Sequence, residues 1–185
     1  MKDPNRTRKS EIKYNVALNE EQKQAKQLII DNQIVIITGR AGSGKSLGFL
    51  PGDLKEKFNP YMEALVENLY KCTDRLKVDE FVKNGKIQAL PIQFIRGKTI
   101  DDILIVEEAQ NLTKGEMEAI LTRLGTTGKI VINGDSSQRD TSESYTGLDF
   151  AIELSKNIEG IHWIKLQANH RSGLVGKILD YIYGK

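Results

Sequence analysis

The feature that most constrains this chain is an apolar stretch that leads directly into a glycine-rich loop. Residues 34–38 read IVIIT, and residues 39–46 read GRAGSGKS. A glycine, four further residues and then Gly-Lys-Ser is the spacing of a phosphate-binding loop, whose backbone N–H groups surround a polyphosphate. Such a loop needs positive φ values, which glycine adopts without strain. A plain glycine-rich turn between a strand and a helix is the alternative, and the later motifs favour nucleotide binding.

Within this loop, two side chains have predicted roles toward ATP and Mg²⁺. Lys45 is expected to reach the β- and γ-phosphates, and the Ser46 hydroxyl is expected to bind Mg²⁺. The residues predicted to hold the nucleotide are Gly39, Arg40, Ala41, Gly42, Ser43, Gly44, Lys45 and Ser46.

The composition limits the classes of protein that need to be considered. At 185 residues the chain can build one well-buried α/β core. It has 27 basic and 25 acidic residues, so any basic surface has to be local. The single cysteine, Cys72, excludes an internal disulfide and is typical of a reducing compartment. No apolar run approaches the ~20 residues of a membrane span. We therefore expect a soluble, cytoplasmic protein without membrane partners.

The N-terminal residues differ in character from the rest of the chain. Residues 1–14 are predicted to form a flexible basic arm, and residues 15–185 a single ATPase domain. The arm carries Arg6, Arg8 and Lys9, and it has no periodicity that buries a face. A nucleic-acid-binding arm and a solvated tail both fit this composition.

A helix is predicted just before the apolar strand. Asn19 can cap it, and Ala25, Leu28 and Ile29 then share one face. The Asn-x-x-Gln pattern that ends at Gln22 resembles the glutamine motif of helicase-like ATPases, where the amide reads the adenine edge. An amide suits that task because it offers a donor beside an acceptor. An ordinary exposed helix glutamine is the alternative.

A second strong motif is ILIVEEAQ, at residues 103–110. Four consecutive apolar residues predict a strand buried on both faces, with two carboxylates at its carboxyl end. This is the Walker B arrangement. Glu107 is expected to hold Mg²⁺ through water, and Glu108 to orient and deprotonate the attacking water. Two exposed glutamates at a strand end are the alternative.

Further elements are predicted on both sides of this motif. Asn59-Pro60 is expected to start a helix, and residues 74–85 a second one with Leu76, Phe81 and Val82 on its apolar side. Residues 86–95 are predicted to form a strand or strand pair interrupted by Pro91, followed by a basic turn at residues 96–99. After the Walker B motif we predict a helix from Thr113 to Gly125, a strand at 129–133, a helix at 148–155, a strand at 162–166 and a closing helix.

Two residues near these later elements are further candidates for contact with phosphate. Gln138 follows the strand at 129–133, at the sheet edge where ligands collect, and is predicted to contact the γ-phosphate. A plain turn is the alternative. Arg171, at the start of the closing helix, is a candidate phosphate-sensing arginine. A surface arginine at a helix start fits equally well.

Taken together, the motifs resemble the PhoH-type ATPases, relatives of superfamily-one helicase cores. The resemblance rests on GRAGSGKS, LGFLPGDLKEKFNPYMEAL, RGKT, EEAQN, LTRLG, GDSSQRD and HRSGLVGKIL. It implies a three-layer α/β/α, RecA-like fold with a mainly parallel sheet, ATP and Mg²⁺ as ligands, and ATP hydrolysis. It also implies work on RNA or single-stranded DNA and assembly into a homo-oligomeric ring, a hexamer among the forms expected.

The chain departs from this family pattern at two places. Glu107 stands where the family has an aspartate. In addition, Ser46 abuts Leu47, where PhoH-type chains have a helix, a strand and a Thr-Arg-Pro element. Either a segment between Ser46 and Leu47 is missing from the sequence, or the protein is truly shortened and its phosphate cradle is open. In the first case the Cα atoms of these two residues would lie far beyond 3.80 Å.

Three functions remain open at this point. The first is a Mg²⁺-dependent ATPase coupled to RNA or single-stranded DNA. The second is a nucleotide-binding regulatory module that does not hydrolyse ATP. The third is a nucleic-acid-binding protein whose affinity is set by ATP. Sequence does not separate them, because binding and hydrolysis share most residues.

Overall fold

The computed structural model describes residues 17–39, 54–166 and 181. Contacts between Cα atoms divide the chain into two compact units. One comprises residues 1–17 and 49–89, and the other residues 18–48 and 90–185. The junction between Ser46 and Leu47 lies outside the described residues. Whether a segment is missing there or the protein is truly shortened therefore stays a prediction.

The larger unit is built on a parallel sheet. Its strands are β1 (Ile34–Thr38), β2 (Ile103–Val106), β3 (Lys129–Gly134) and β4 (Ile161–Lys165), all of them rich in β-branched residues. They pair in the order β2-β3-β1-β4. The α/β class with a parallel sheet, which the sequence predicted, is confirmed.

Two helices cover one face of this sheet. They are α4 (Lys114–Leu121) and α5 (Gly147–Asn157). Gly147 allows α5 to start close to α4, because a Cβ there would lie 2.9 Å from the Thr113 carbonyl oxygen. The buried core between helices and sheet comprises Ile34, Ile36, Val106, Ile130 and Ile132 from the strands, Met117 and Ile120 from α4, and Leu148 and Ala151 from α5.

The prediction that residues 103–106 are buried on both faces is wrong. β2 is the last strand of the sheet on its side among the described residues, and Ile103 and Ile105 are 65% and 52% exposed. Both lie on one face of the strand, while Leu104 and Val106 pack into the core on the other. An apolar run does not distinguish a central strand from an edge strand, because the residue types are the same.

Helix starts are set by local capping, as the sequence predicted. α1 (Glu20–Asp31) begins with a capping box between Asn19 and Gln22, and α4 begins with one between Thr113 and Glu116. The cap at Asn19 was predicted, but its capping box with Gln22 was not, and neither was a third box at Thr146 before α5. The far end of α1 is held by Lys129, whose Nζ donates to three carbonyl oxygens at 2.8 to 3.0 Å. Those carbonyls need donors because a helix leaves its last C=O groups unpaired.

The smaller unit corrects two helix predictions. α2 runs over Leu54–Cys72 and so passes through Asn59 and Pro60 instead of beginning there. The apolar spacing already continues upstream of Pro60, and this periodicity outweighs the local Asn-Pro start signal. α3 spans Arg75–Lys83 and is capped by Asp74. Its buried residue is Val78, whereas Leu76 is 78% exposed.

Residues 86–95 contain no strand, so that prediction is wrong. Pro91 has no backbone N–H for a sheet ladder, and it precedes a short 3₁₀ turn over Ile92–Phe94. The basic turn that follows is confirmed, with Gly97 at a φ of 83°. The other predicted elements lie within one or two residues of the observed bounds, except that α4 ends at Leu121, before Gly125. Of the predicted closing helix, only Tyr181 is described.

In the part of the chain that the structure describes, no helix has the length and apolar character needed to cross a membrane.

Candidate functional site

The candidate site lies at the carboxyl edge of the sheet. The register pairs Val106 with Ile132, and Thr38 with Gly134. Glu107 therefore follows β2 at the level of Asn133, and Gly39 leaves β1 beside the end of β3. Because all four strands are parallel, the phosphate-binding sequence and the two glutamates meet at one edge, where ligands of open α/β sheets bind.

Glu107 is exposed, and Asn133 orients its carboxylate. The Asn133 Nδ2 donates to Glu107 Oε2 at 2.7 Å. A solvent-facing carboxylate oxygen is the hard ligand that Mg²⁺ prefers, and Mg²⁺ usually takes only one or two carboxylates while keeping several waters. Glu107 therefore fits the predicted water-mediated Mg²⁺ contact. No cluster of three potential metal-ligating side chains occurs in the part of the chain that the structure describes.

Glu108 has an unusual backbone conformation. Its φ and ψ are 54° and 38°, and it is the non-glycine residue with positive φ among the described residues. A left-handed residue with a long side chain stores strain, and such residues cluster at functional sites. At this turn the two adjacent carboxylates have different hydrogen-bond partners: Glu107 accepts from Asn133, and Glu108 accepts from Gln110. The Gln110 Nε2 donates to Glu108 Oε2 at 2.6 Å.

Gln110 connects the ends of β2 and β3. Its side chain is fully buried. Besides its bond to Glu108, the Nε2 donates to the Gln138 carbonyl oxygen at 3.3 Å, and the Oε1 accepts from the Asp135 N–H at 3.0 Å. The amide suits this position because it has donors and an acceptor on one planar group. The motif EEAQ contains Gln110, yet the sequence indicated no role for it, because two of its three partners lie 25 and 28 positions away.

The loop after β3 is ordered around Asp135. Asp135 is buried, with an exposed fraction of 6%, and its Oδ1 accepts from the backbone N–H and the hydroxyl of Ser137 at 2.9 and 2.6 Å. The Gln138 side-chain amide donates to Asp135 Oδ2 at 3.1 Å. Gln138 therefore lies at the predicted sheet edge and is connected to Glu108 through Gln110. Its contact with a γ-phosphate stays a prediction.

The start of the phosphate-binding sequence is fixed from two sides. The Gly39 N–H donates to the Gly134 carbonyl oxygen at 3.4 Å, and the Leu166 N–H donates to the Thr38 carbonyl oxygen at 2.7 Å. A Cβ at Gly39 would lie 3.2 Å from the Leu166 carbonyl oxygen, so the close approach favours glycine. The Trp163 Nε1 also donates to Thr38 Oγ1 at 2.9 Å.

The other predicted nucleotide contacts fall into two groups. Gln22 lies in the first turn of α1, where its Oε1 accepts from the Asn19 N–H at 3.0 Å as part of the capping box. Its contact with adenine stays a prediction. The remaining residues lie outside the described part of the chain: Arg40, Ala41, Gly42, Ser43, Gly44, Lys45, Ser46 and Arg171.

Comparison with known proteins identifies consistent relatives. The family of PhoH-like proteins matches residues 44–183, about three quarters of the chain. The PhoH-like protein of Bacillus subtilis is 40% identical over 152 residues, which cover 80% of this chain and 48% of that protein. The PhoH-like protein of Mycobacterium tuberculosis (strain H37Rv) is 36% identical over 163 residues, 85% of this chain and 45% of that protein.

The chain is also similar to proteins named PhoH2. Protein PhoH2 of Bacillus subtilis is 34% identical over 167 residues, which cover 86% of this chain and 38% of that protein. The chain thus spans about half, or less, of the length of these curated relatives.

Proposed function

We propose that this chain, which belongs to the PhoH-like protein family, binds ATP with Mg²⁺ in the cytoplasm and hydrolyses it. The observation that carries the proposal is the pair Glu107 and Glu108 at the end of β2. The two carboxylates are oriented separately, by Asn133 and by Gln110, at the sheet edge where β1 also ends, with β3 between β2 and β1. One carboxylate is thereby available to a metal and the other to a water molecule.

Each predicted residue has a role in this proposal. Lys45 binds the β- and γ-phosphates, while Ser46 and Glu107 hold Mg²⁺, which neutralises charge on the phosphates when bound. Glu108 accepts the proton of the attacking water, and its attachment to Gln110 keeps the carboxylate aimed. Gln138 senses the γ-phosphate, and Gln22 reads the adenine edge.

The proposal is tested by measuring ATP binding and phosphate release separately. We expect Lys45→Ala to lose ATP binding, because the cationic contact to the phosphates disappears. We expect Glu108→Gln to bind ATP and to lose turnover about 10²- to 10⁴-fold, because only the base is removed. Binding is followed by the fluorescence of Trp163, the single tryptophan, which contacts Thr38 just before the loop.

Matched controls are Lys83→Ala and Glu159→Gln, which make the same changes at exposed positions. Both should behave as wild type in the two assays. Equal turnover by the wild type and by Glu108→Gln would refute the assignment of the base.

The coupling partner in this proposal is RNA or single-stranded DNA, and the working form is a homo-oligomeric ring. Phosphoryl-transfer sites are often completed by an arginine that stabilises the charge at the γ-phosphate. Arg171, or as second choice Arg96, is proposed to serve a neighbouring subunit, a contribution worth ~10³ or more in rate. A strictly monomeric species in light scattering that hydrolyses ATP at the full rate would exclude this arrangement.

A nucleotide-binding module without turnover is the second candidate. It is favoured by the direct junction of Ser46 and Leu47 and by the exposed apolar face of β2. Under this alternative, ATP quenches or enhances Trp163 fluorescence while the wild type releases no phosphate, with or without RNA.

A further inference from the structure

A groove runs along the outer side of α4, away from the carboxyl edge of the sheet. Four of its residues follow helical spacing and form one stripe along α4 and its C-cap: Gly115, Glu118, Ala119 and Thr122. The groove has a volume of about 390 Å³, and two arginines, Arg96 and Arg123, complete its walls. Because Gly115 and Ala119 are small, an extended ligand can approach the helix backbone closely.

The two arginines come from different segments that meet at the end of α4. Arg96 is exposed on the turn that Gly97 shapes. Arg123 follows α4, and its carbonyl oxygen accepts from the Ile100 N–H at 2.7 Å, just before β2. Both arginines therefore lie close in the fold to the segment that enters β2, whereas Glu107 and Glu108 follow its carboxyl end. The groove is therefore separate from the nucleotide site of the same chain.

One hydrogen-bond donor of Arg123 has no acceptor among the described residues. Its Nε is buried and has no hydrogen-bond partner among the described residues. Among the described residues the ion pairs are Lys23–Glu20 and Arg139–Asp149, and within that part of the chain neither groove arginine pairs with Glu118 or with another carboxylate. A buried donor without an acceptor costs stability. Together with Arg96, Arg123 gives the groove two positive charges without a carboxylate partner among the described residues, and an anionic ligand would neutralise them.

We infer that this groove binds the backbone of single-stranded RNA, an inference that rests on the proposed coupling to nucleic acid. Guanidinium groups bind phosphate oxygens in a bidentate manner, and two of them flank the groove. None of the residues that line it is aromatic, and Arg96 and Arg123 are its only cations, so the contact is to backbone and is sequence-blind.

Glu118 decides between RNA and DNA. A carboxylate repels phosphate but accepts a hydrogen bond from a ribose 2′-hydroxyl, which DNA lacks. The Thr122 hydroxyl donates to the Glu118 carbonyl oxygen at 2.9 Å, so its oxygen is left as a neutral acceptor, weaker than the charged Glu118 carboxylate. The lining therefore combines two phosphate ligands with one 2′-hydroxyl acceptor.

The test measures binding of fluorescein-labelled oligouridine and of oligodeoxyuridine to the full chain by anisotropy, without nucleotide. We expect Arg96→Gln and Arg123→Gln each to weaken RNA binding about tenfold and to reduce the salt slope by about 1. Lys83→Gln, the matched loss of one exposed cation, should stay within twofold of wild type. Glu118→Gln should reduce the preference for RNA over DNA at least threefold. Thermal melts confirm folding, and Arg123→Lys covers the case in which Arg123→Gln does not fold.

Several results overturn the inference. One is RNA affinity of Arg96→Gln equal to that of Lys83→Gln. Another is loss of phosphate release in the arginine variants with RNA affinity intact, which would assign these arginines to the nucleotide of a neighbouring subunit. Because binding is measured without ATP, a chain that hydrolyses nothing can still confirm the groove. If the chain hydrolyses ATP but does not bind RNA, the proposed ATPase function stands and the proposed RNA-binding groove is refuted.

Discussion

The two halves of the sheet edge are joined in different ways. The ends of β2 and β3 are connected by side chains, through Gln110 and Asn133. The ends of β1 and β4 are connected by a backbone hydrogen bond and by one side-chain bond, from Trp163 to Thr38. Side-chain networks fix the direction of individual polar groups, whereas backbone pairing fixes only the path of the chain. The difference indicates that the orientation of the Glu107 and Glu108 carboxylates matters at the ends of β2 and β3, the glutamate side. At the ends of β1 and β4, the loop side, the path of the chain into the phosphate-binding sequence matters.

The largest effect is expected at Gln110, which is at the centre of the glutamate side. Gln110→Met keeps the volume and removes three hydrogen bonds, leaving the Asp135 N–H without its acceptor. We expect the free energy of unfolding to fall by about 2 to 3 kcal/mol. We also expect turnover per folded molecule to fall about 10- to 100-fold with little change in ATP affinity, because Glu108 loses its orientation.

Urea unfolding and phosphate release measure these two quantities, and Gln93→Met makes the same substitution at an exposed glutamine as a control. If the variant loses stability but each folded molecule turns over at the wild-type rate, the network is structural only. The contrast between the two halves of the edge would then have no catalytic meaning.

A smaller effect is expected at Trp163, on the loop side. Trp163→Phe and Thr38→Val each remove the bond between the indole N–H and the hydroxyl. Each should lower the free energy of unfolding by about 1 kcal/mol, and the double variant by less than the sum. ATP affinity, measured by calorimetry since the tryptophan is lost, should change less than threefold. A change in turnover as large as that of Gln110→Met would remove the distinction between the halves.

The smallest effect lies outside both halves, on α5. The Tyr145 hydroxyl donates to the Glu153 carboxylate, and this hydrogen bond raises the pKa of Tyr145 from 10.0 to about 12. Below pH 10 the phenol is protonated in both states, so its contribution to stability is fully present. Between pH 10 and 12 the unfolded chain loses the proton first, and the contribution is lost.

Tyr145→Phe should therefore flatten the fall in melting temperature over that alkaline range, while Tyr181→Phe, at an exposed tyrosine, should not. An unchanged slope in Tyr145→Phe would show that this hydrogen bond has no role in alkaline stability. The change in melting temperature of Tyr145→Phe also shows how large a stability effect one hydrogen bond outside the sheet edge produces.

Local signals in the sequence were accurate where the interaction itself is local. The capping boxes at Asn19 and Thr113 involve residues three positions apart, so the sequence contains both partners side by side. The same holds for the strand that enters the phosphate-binding sequence, whose apolar run coincides with β1. At Asn59-Pro60 the local signal failed, because a longer periodicity continued through it.

The sequence by itself determined the fold class, the order of the motifs and the position of Glu107 and Glu108 at a strand end. Only the tertiary structure decided that β2 lies at the edge of the described sheet with Ile103 and Ile105 exposed, that Gln110 joins Glu108 to the loop after β3, and that Arg96 and Arg123 share one groove. Periodicity and capping act over a few residues, whereas strand order and side-chain partners 25 or more positions apart depend on how the elements pack.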